Sequence, residues 1–151
     1  MKILILLFLI LSVSYSQSYT FLVNKYDKEL ELESKIIAKI AESCVLKKVV
    51  LYIPKMTKME EKIYSKTFTL GKSCKDSNFI FVKKNADEKE ICKNENKLYF
   101  TNNYKKLLKN KKFFGAFFWS KSRPNIVFIK NRLIERKISL PNSYKQFIED
   151  L

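Results

Sequence analysis

Two periods of apolar spacing share this chain. Between residues 27 and 45, Leu30, Ile36, Ile37, Ile40 and Ala41 recur at helical intervals, with glutamates gathered in the first turns and Asp27 placed to cap. That pattern predicts the longest helix. KKVVLYIP then reads as a strand, because Val49, Val50 and Ile53 cluster in a short run that Pro54 stops. MTKMEEKIYSK predicts a helix with Met56, Met59 and Ile63 on one side, and Gly71 marks a turn. NFIFVKK and KLYFT are the next strands, separated by the polar helix or turn segment NADEKEICKN. NNYKKLLKNKK predicts a helix capped by Asn102 or Asn103, with Tyr104, Leu107 and Leu108 inward.

From residue 113 the pattern changes. FFGAFFWS and NIVFIK are two strands joined by so few residues that only an antiparallel hairpin fits, since a parallel pair needs a long crossover. NRLIERK and SLPNSYKQFIEDL predict two closing helices, the second starting near Ser139 or Asn142. Strands separated by helical segments call for an open sheet covered by helices. The expected fold is therefore α/β: one small domain, an open mixed sheet of about five strands, and a C-terminal β-hairpin followed by two short helices.

The first residues change where this domain is expected to work. MKILILLFLILSVSYSQS places one cation before an apolar run and small polar residues after it, which is the order of a secretory signal peptide cleaved after Ser16 or Ser18. The run is about half of the roughly 20 residues that a membrane span requires. Residues 1–18 are read as the signal and 19–151 as one domain, delivered to the periplasm.

Export gives the cysteines meaning. Of Cys44, Cys74 and Cys92, the last two lie just before NFIFVKK and NKLYFT, so neighbouring parallel strands would bring them to one end of the sheet and allow a disulfide. Cys44, late in the first helix, is then expected to be a buried, unreactive thiol.

The formal charge is +15, from 30 Lys and Arg against 15 Asp and Glu. The cations are scattered along the sequence and are nearly all Lys, in a composition also rich in Asn, Ile, Phe and Tyr, residues with A/T-rich codons. Genome bias accounts for such a charge without a polyanion, and nucleic acid is not expected as a partner. With no histidine, Ser/His/Asp and Cys/His catalysis are excluded and zinc loses its commonest nitrogen ligand. Only Gly71 and Gly115 are present, which rules out a glycine-rich phosphate loop. The carboxylate pairs Glu60 with Glu61 and Glu88 with Glu90 read as solvated helix faces. No catalytic residue, metal site or cofactor is expected.

WSKSRPN, between the hairpin strands, admits two readings. As a plain turn, Trp119 packs on the sheet, Pro124 stiffens the exit and the cations are solvated. As a recognition turn, Trp119 is a platform beside Lys121 and Arg123, and Arg123 supplies a fork for a carboxylate or phosphate in a chain that otherwise prefers Lys.

The stretch GAFFWSKSRPNIVFIKNRLIERKISLPNSYKQFIEDL, with CKDSNFIFVKKN and NKLYFTNNYKKLL upstream, resembles the periplasmic YfiR-like proteins in element order, in the glycine before an aromatic run, and in its strand of F-x-type pattern. WSKSRPN departs from the plainer turns of that family. The resemblance implies a periplasmic α/β binding or regulatory domain with a membrane sensor or diguanylate cyclase as partner. The chain also resembles, in parts of its plan, half of a phosphate-type solute-binding protein, which implies a one-lobe binder of a small anionic ligand. The charge alone suggests a third role, a cationic envelope protein on anionic polymers or lipid.

Overall fold

The computed structural model describes residues 25–87, 91–92 and 96–151. The expected signal peptide, the segment up to residue 24, and the Glu88 and Glu90 pair lie outside the described residues.

A long helix, α1, covers residues 25–44. It is followed by β1 (Val50–Tyr52), α2 (Lys58–Tyr64), β2 (Thr69–Leu70), β3 (Phe79–Val82), β4 (Leu98–Thr101), α3 (Tyr104–Lys109), β5 (Phe113–Ser120), β6 (Arg123–Ile129) and α4 (Lys130–Glu135), then a 3-10 helix (Asn142–Phe147) and β7 (Ile148–Glu149). The strands form one sheet in the order β2-β1-β3-β4-β5-β6-β7. All neighbours are parallel except β5 and β6, the expected hairpin. The fold is α/β, as the sequence predicts, with two strands more than expected. Both extra strands are two-residue edges, too short to show an alternation.

The faces follow from the direction of travel. The β1–α2–β2 crossover moves one way along the sheet and the connections from β3 through β5 move the other, so right-handed crossovers cover opposite faces. Leu30, Ile37 and Ile40 of α1 and Ile63 and Tyr64 of α2 join Phe79, Phe81, Phe100 and Phe128 on one face. On the other, Leu107 of α3 and Ala86 and Ile91 cover Ile80, Val82, Tyr99 and Phe113. Strand β6 is reversed, so its onward crossover returns to the first face, where Leu133, Tyr144 and Phe147 pack.

Gly115 serves the core directly. A β-carbon there would stand 2.7 Å from Phe100 Cε2, 2.8 Å from Phe128 Cδ1 and 2.8 Å from the Val127 carbonyl oxygen. The register shift between Tyr99 and Phe100, opposite this stretch of β5, puts Phe114 and Gly115 together on the aromatic face. The rings of Phe100 and Phe128 fill the space that a side chain at 115 would need, and Phe114 packs beside them with its ring 5.4 Å from that of Phe100.

Several local expectations change. Asp27 lies inside α1 rather than at its cap. Met59 and Leu108 are exposed, at 41% and 44%, rather than buried in the core. The last segment forms a 3-10 helix and an edge strand instead of an α-helix. Asn103 is the α3 cap, its side chain accepting from the Lys106 N–H. Cys74 and Cys92 stand at disulfide distance with Cα atoms 6.1 Å apart, because β3 and β4 are parallel neighbours in register. Cys44 is only half-buried, yet burial pushes its thiol up to about 12.

Candidate functional site

At the carboxyl ends of the parallel strands is a crevice of about 240 Å³. The sheet turns outward in opposite directions from β1 and β3, and this switch point is where open α/β sheets place ligands. Lys83, Lys84 and Asn85 enter from the end of β3, Asn102 from β4 and Trp119 from β5. Helix α1 supplies Tyr26, Glu29 and Glu33, and α2 supplies Glu60.

The floor is an ion cluster built by secondary structure. Thr57 and Glu60 form a capping box at the start of α2: the Thr57 N–H donates to Glu60 Oε2 at 2.8 Å, and the Glu60 N–H donates to Thr57 Oγ1 at 3.2 Å. The other oxygen of Glu60 accepts from Lys83 Nζ. Glu33 stands on the buried stripe of α1, where its Oε1 accepts from the Tyr64 hydroxyl at 2.6 Å and lies 3.7 Å from Lys83 Nζ. Lys83 Nζ also sits 5.5 Å from the centre of the Tyr64 ring. One ammonium thus serves two carboxylates and a ring in a site from which most water is removed.

These surroundings push the carboxyls apart. Burial raises Glu33 above the usual carboxylate range, only partly offset by Lys83 and the Tyr64 hydroxyl. Burial also acts on Glu60, but the hydrogen bonds from Lys83 and the Thr57 backbone, with the Lys83 charge, outweigh it and hold Glu60 below its ordinary value. Tyr64 is pushed up by burial and by Glu33, so its proton stays in the bond to Glu33.

The wall is held from behind. The Lys84 N–H donates to Asn102 Oδ1 at 2.6 Å, and Lys106 Nζ donates to the carbonyls of Lys83, at 3.3 Å, and Ala86. Residues 83–86 are therefore fixed before any ligand arrives, a preorganisation that lowers the cost of binding.

The hairpin residues separate. Trp119 is half-buried, meets Phe117 edge-on at 5.6 Å and lines the crevice. Lys121 and Ser122 form the two-residue turn, both with positive φ, 49° and 61°. Lys121 and Arg123 are exposed at the tip. Arg123 pairs with Ser120, whereas Trp119 pairs with Pro124, so Trp119 and Arg123 lie on opposite faces of the hairpin. The structure brings Trp119 to Glu33, Glu60 and Lys83, and does not bring it to Arg123.

The other two arginines use their forks on backbone carbonyls. Arg132 Nη1 donates to Leu107 and Phe113, both at 2.7 Å, and to Asn110 at 3.2 Å, while Arg136 Nη2 donates to Lys111 at 2.9 Å and Lys112 at 3.1 Å. They close the end of α3 onto the start of β5.

Reading Glu60 as a solvated helix residue is corrected: it is buried, while Glu61 is exposed. The spacing Thr57-x-x-Glu60 carried the signal, because a capping box turns its glutamate back toward the helix start. Glu33 was also legible, standing three residues after Leu30 and four before Ile37 on an apolar stripe. Among the described residues, no group of three or more metal-ligating side chains gathers, and no helix is long and apolar enough to cross a membrane.

Comparison with protein-family models, curated proteins and solved structures finds no match.

Proposed function

We propose that this is an exported binding protein that takes a small polar ligand in the switch-point crevice and reports it to a membrane-bound signalling partner. The observation that carries the reading is Trp119: the only tryptophan of the chain stands at the crevice wall, beside a pre-formed floor of Glu33, Glu60 and Lys83. An indole offers a broad face at low entropic cost, and the fixed polar groups give orientation. Glu29, Glu33 and Glu60 oppose Lys83 and Lys84, and Lys83 is held by the two buried carboxylates. The crevice therefore suits an uncharged or cationic polar ligand better than an anion. The protein acts by binding, since both carboxylates are bound up with one ammonium and histidine is absent.

Export is supported by the N-terminal pattern and by the Cys74 and Cys92 pair, which fits an oxidising compartment such as the periplasm. The YfiR-like resemblance adds the kind of partner, a membrane sensor or cyclase. Lys121 and Arg123, exposed at the hairpin tip near the crevice wall, are the residues we assign to that partner.

Affinity purification from the native envelope, with mass spectrometry of retained small molecules and proteins, tests the proposal. Trp119→Ala should lose the small molecule and keep the fold. Arg123→Ala should lose the protein partner and keep the small molecule. Recovery of neither from the wild-type chain would overturn the reading.

A further inference from the structure

The cations that look scattered in sequence meet at the opposite end of the sheet from the crevice. Lys47 and Lys48 precede β1, Lys75 precedes β3, Lys109 and Lys111 precede β5, and Lys137 follows α4, which begins where the reversed strand β6 ends. All six are exposed, and none is in an ion pair among the described residues. The Asn78 side chain donates to the Lys48 carbonyl, Lys97 Nζ donates to the carbonyls of Cys74, Lys75 and Ser77, and Arg136 holds those of Lys111 and Lys112. The backbone beneath the lysines is thereby fastened into one edge. From β1 to β6 the edge crosses four strand spacings, about 19 Å. The acids near it are Glu42, Asp76, engaged by Ser73 Oγ at 2.8 Å, Glu135, 3.9 Å from Arg136, and, where β7 ends beside β6, Glu149 and Asp150, the latter 3.0 Å from Lys130.

Two apolar side chains stand out along this edge. Leu46, beside Lys47, is 106% exposed, and Ile134, in α4, is 66% exposed. Single exposed apolar residues are ordinary on a surface. Here they flank the lysines at both ends of the edge, in the loop before β1 and in the helix after β6.

We infer that this basic edge docks on an anionic lipid bilayer, with Leu46 and Ile134 entering the interface. Charge complementarity supplies the attraction, and the apolar pair decides among anions: a soluble polyanion would leave both side chains in water, whereas a bilayer takes ammonium groups at its head groups and leucine just beneath. Docked in this way, the protein holds the crevice at the far end of its strands, turned away from the lipid. The inference does not depend on what the crevice binds.

Cosedimentation of the full chain, as cells process it, with phosphatidylcholine vesicles with and without phosphatidylglycerol tests this. Retention should require phosphatidylglycerol and fall steeply with salt. Lys111→Gln and Lys137→Gln should each weaken it about fivefold, and Leu46→Ser should weaken it without altering the salt dependence. Lys28→Gln with Lys58→Gln, away from the edge, should change it far less. Equal retention on pure phosphatidylcholine, indifference to the edge variants, or binding to heparin without binding to anionic vesicles would each overturn the inference.

Discussion

Replacing Lys83 by Met removes the cation on which the crevice floor depends while keeping a side chain of similar length. Lys83 is 15% exposed, and the carboxylate side chains it serves, Glu33 and Glu60, are 7% and 8% exposed. Removing one partner of such a buried set leaves charge without compensation, a loss of about 3–5 kcal/mol. A small domain has about 5–15 kcal/mol in total, so the variant should unfold at much lower denaturant concentration. The pH dependence separates this cause from lost packing. In the native protein Glu60 sits below its ordinary value, so its stabilising part is present above that value and lost as pH falls through the depressed one. Glu33 sits above its ordinary value, so it favours folding at low pH and weakens it as pH rises through the raised one. Without Lys83, both carboxyls lose a lowering influence and move upward. Stability of Lys83→Met should then be greatest below the ordinary carboxylate range and fall as pH rises through the raised values. Urea unfolding followed by circular dichroism at about pH 7 and about pH 4.5 should show a deficit that narrows on acidification. A deficit below about 1 kcal/mol at neutral pH, or one equal at both values, would refute the ion-cluster account.

Three further predictions concern the frame. Gly115→Ala should cost at least the upper part of the about 1–3 kcal/mol range for overpacking, because the new methyl meets two rings and a backbone carbonyl at once; thermal melting reads it. Reduction should remove about 3 kcal/mol through the link between Cys74 and Cys92, and non-reducing peptide mapping should find these two joined, with Cys44 free and slow toward iodoacetamide until the protein unfolds. Arg132→Ala should cost about 1.5–3 kcal/mol by releasing the carbonyls of Leu107, Asn110 and Phe113, with Arg132→Lys restoring only part, as denaturant midpoints would show.

The long elements were legible because their periods were. Helix α1 follows from the Leu30 to Ala41 stripe, β3 and β4 from short apolar runs, and the hairpin from a connection too short for anything else. From β3 and β4 as parallel neighbours the cysteine pair follows as well. What escaped was decided by tertiary placement. Strands β2 and β7 have two residues each and exist because an open sheet edge receives them. The crevice draws on α1, α2 and three strand ends, so no local window contains it. WSKSRPN shows both limits: Trp119 does reach a candidate site, but pleating sends Arg123 to the opposite face, which a linear reading of neighbouring residues does not resolve. The basic edge likewise exists only after folding brings residues 47, 75, 111 and 137 to one end of the sheet.

The crevice is the centre of this account, and the single tryptophan gives a direct probe of it. Trp119 emission, with acrylamide quenching, should be measured on the purified chain before and after addition of the low-molecular-weight fraction of the native envelope. A ligand against the indole should shift the emission and reduce quenching, and Glu33→Gln should weaken the response while leaving the far-ultraviolet circular dichroism unchanged. Emission and quenching that stay the same at every concentration, with the protein folded throughout, would contradict the assignment of the crevice as a binding site.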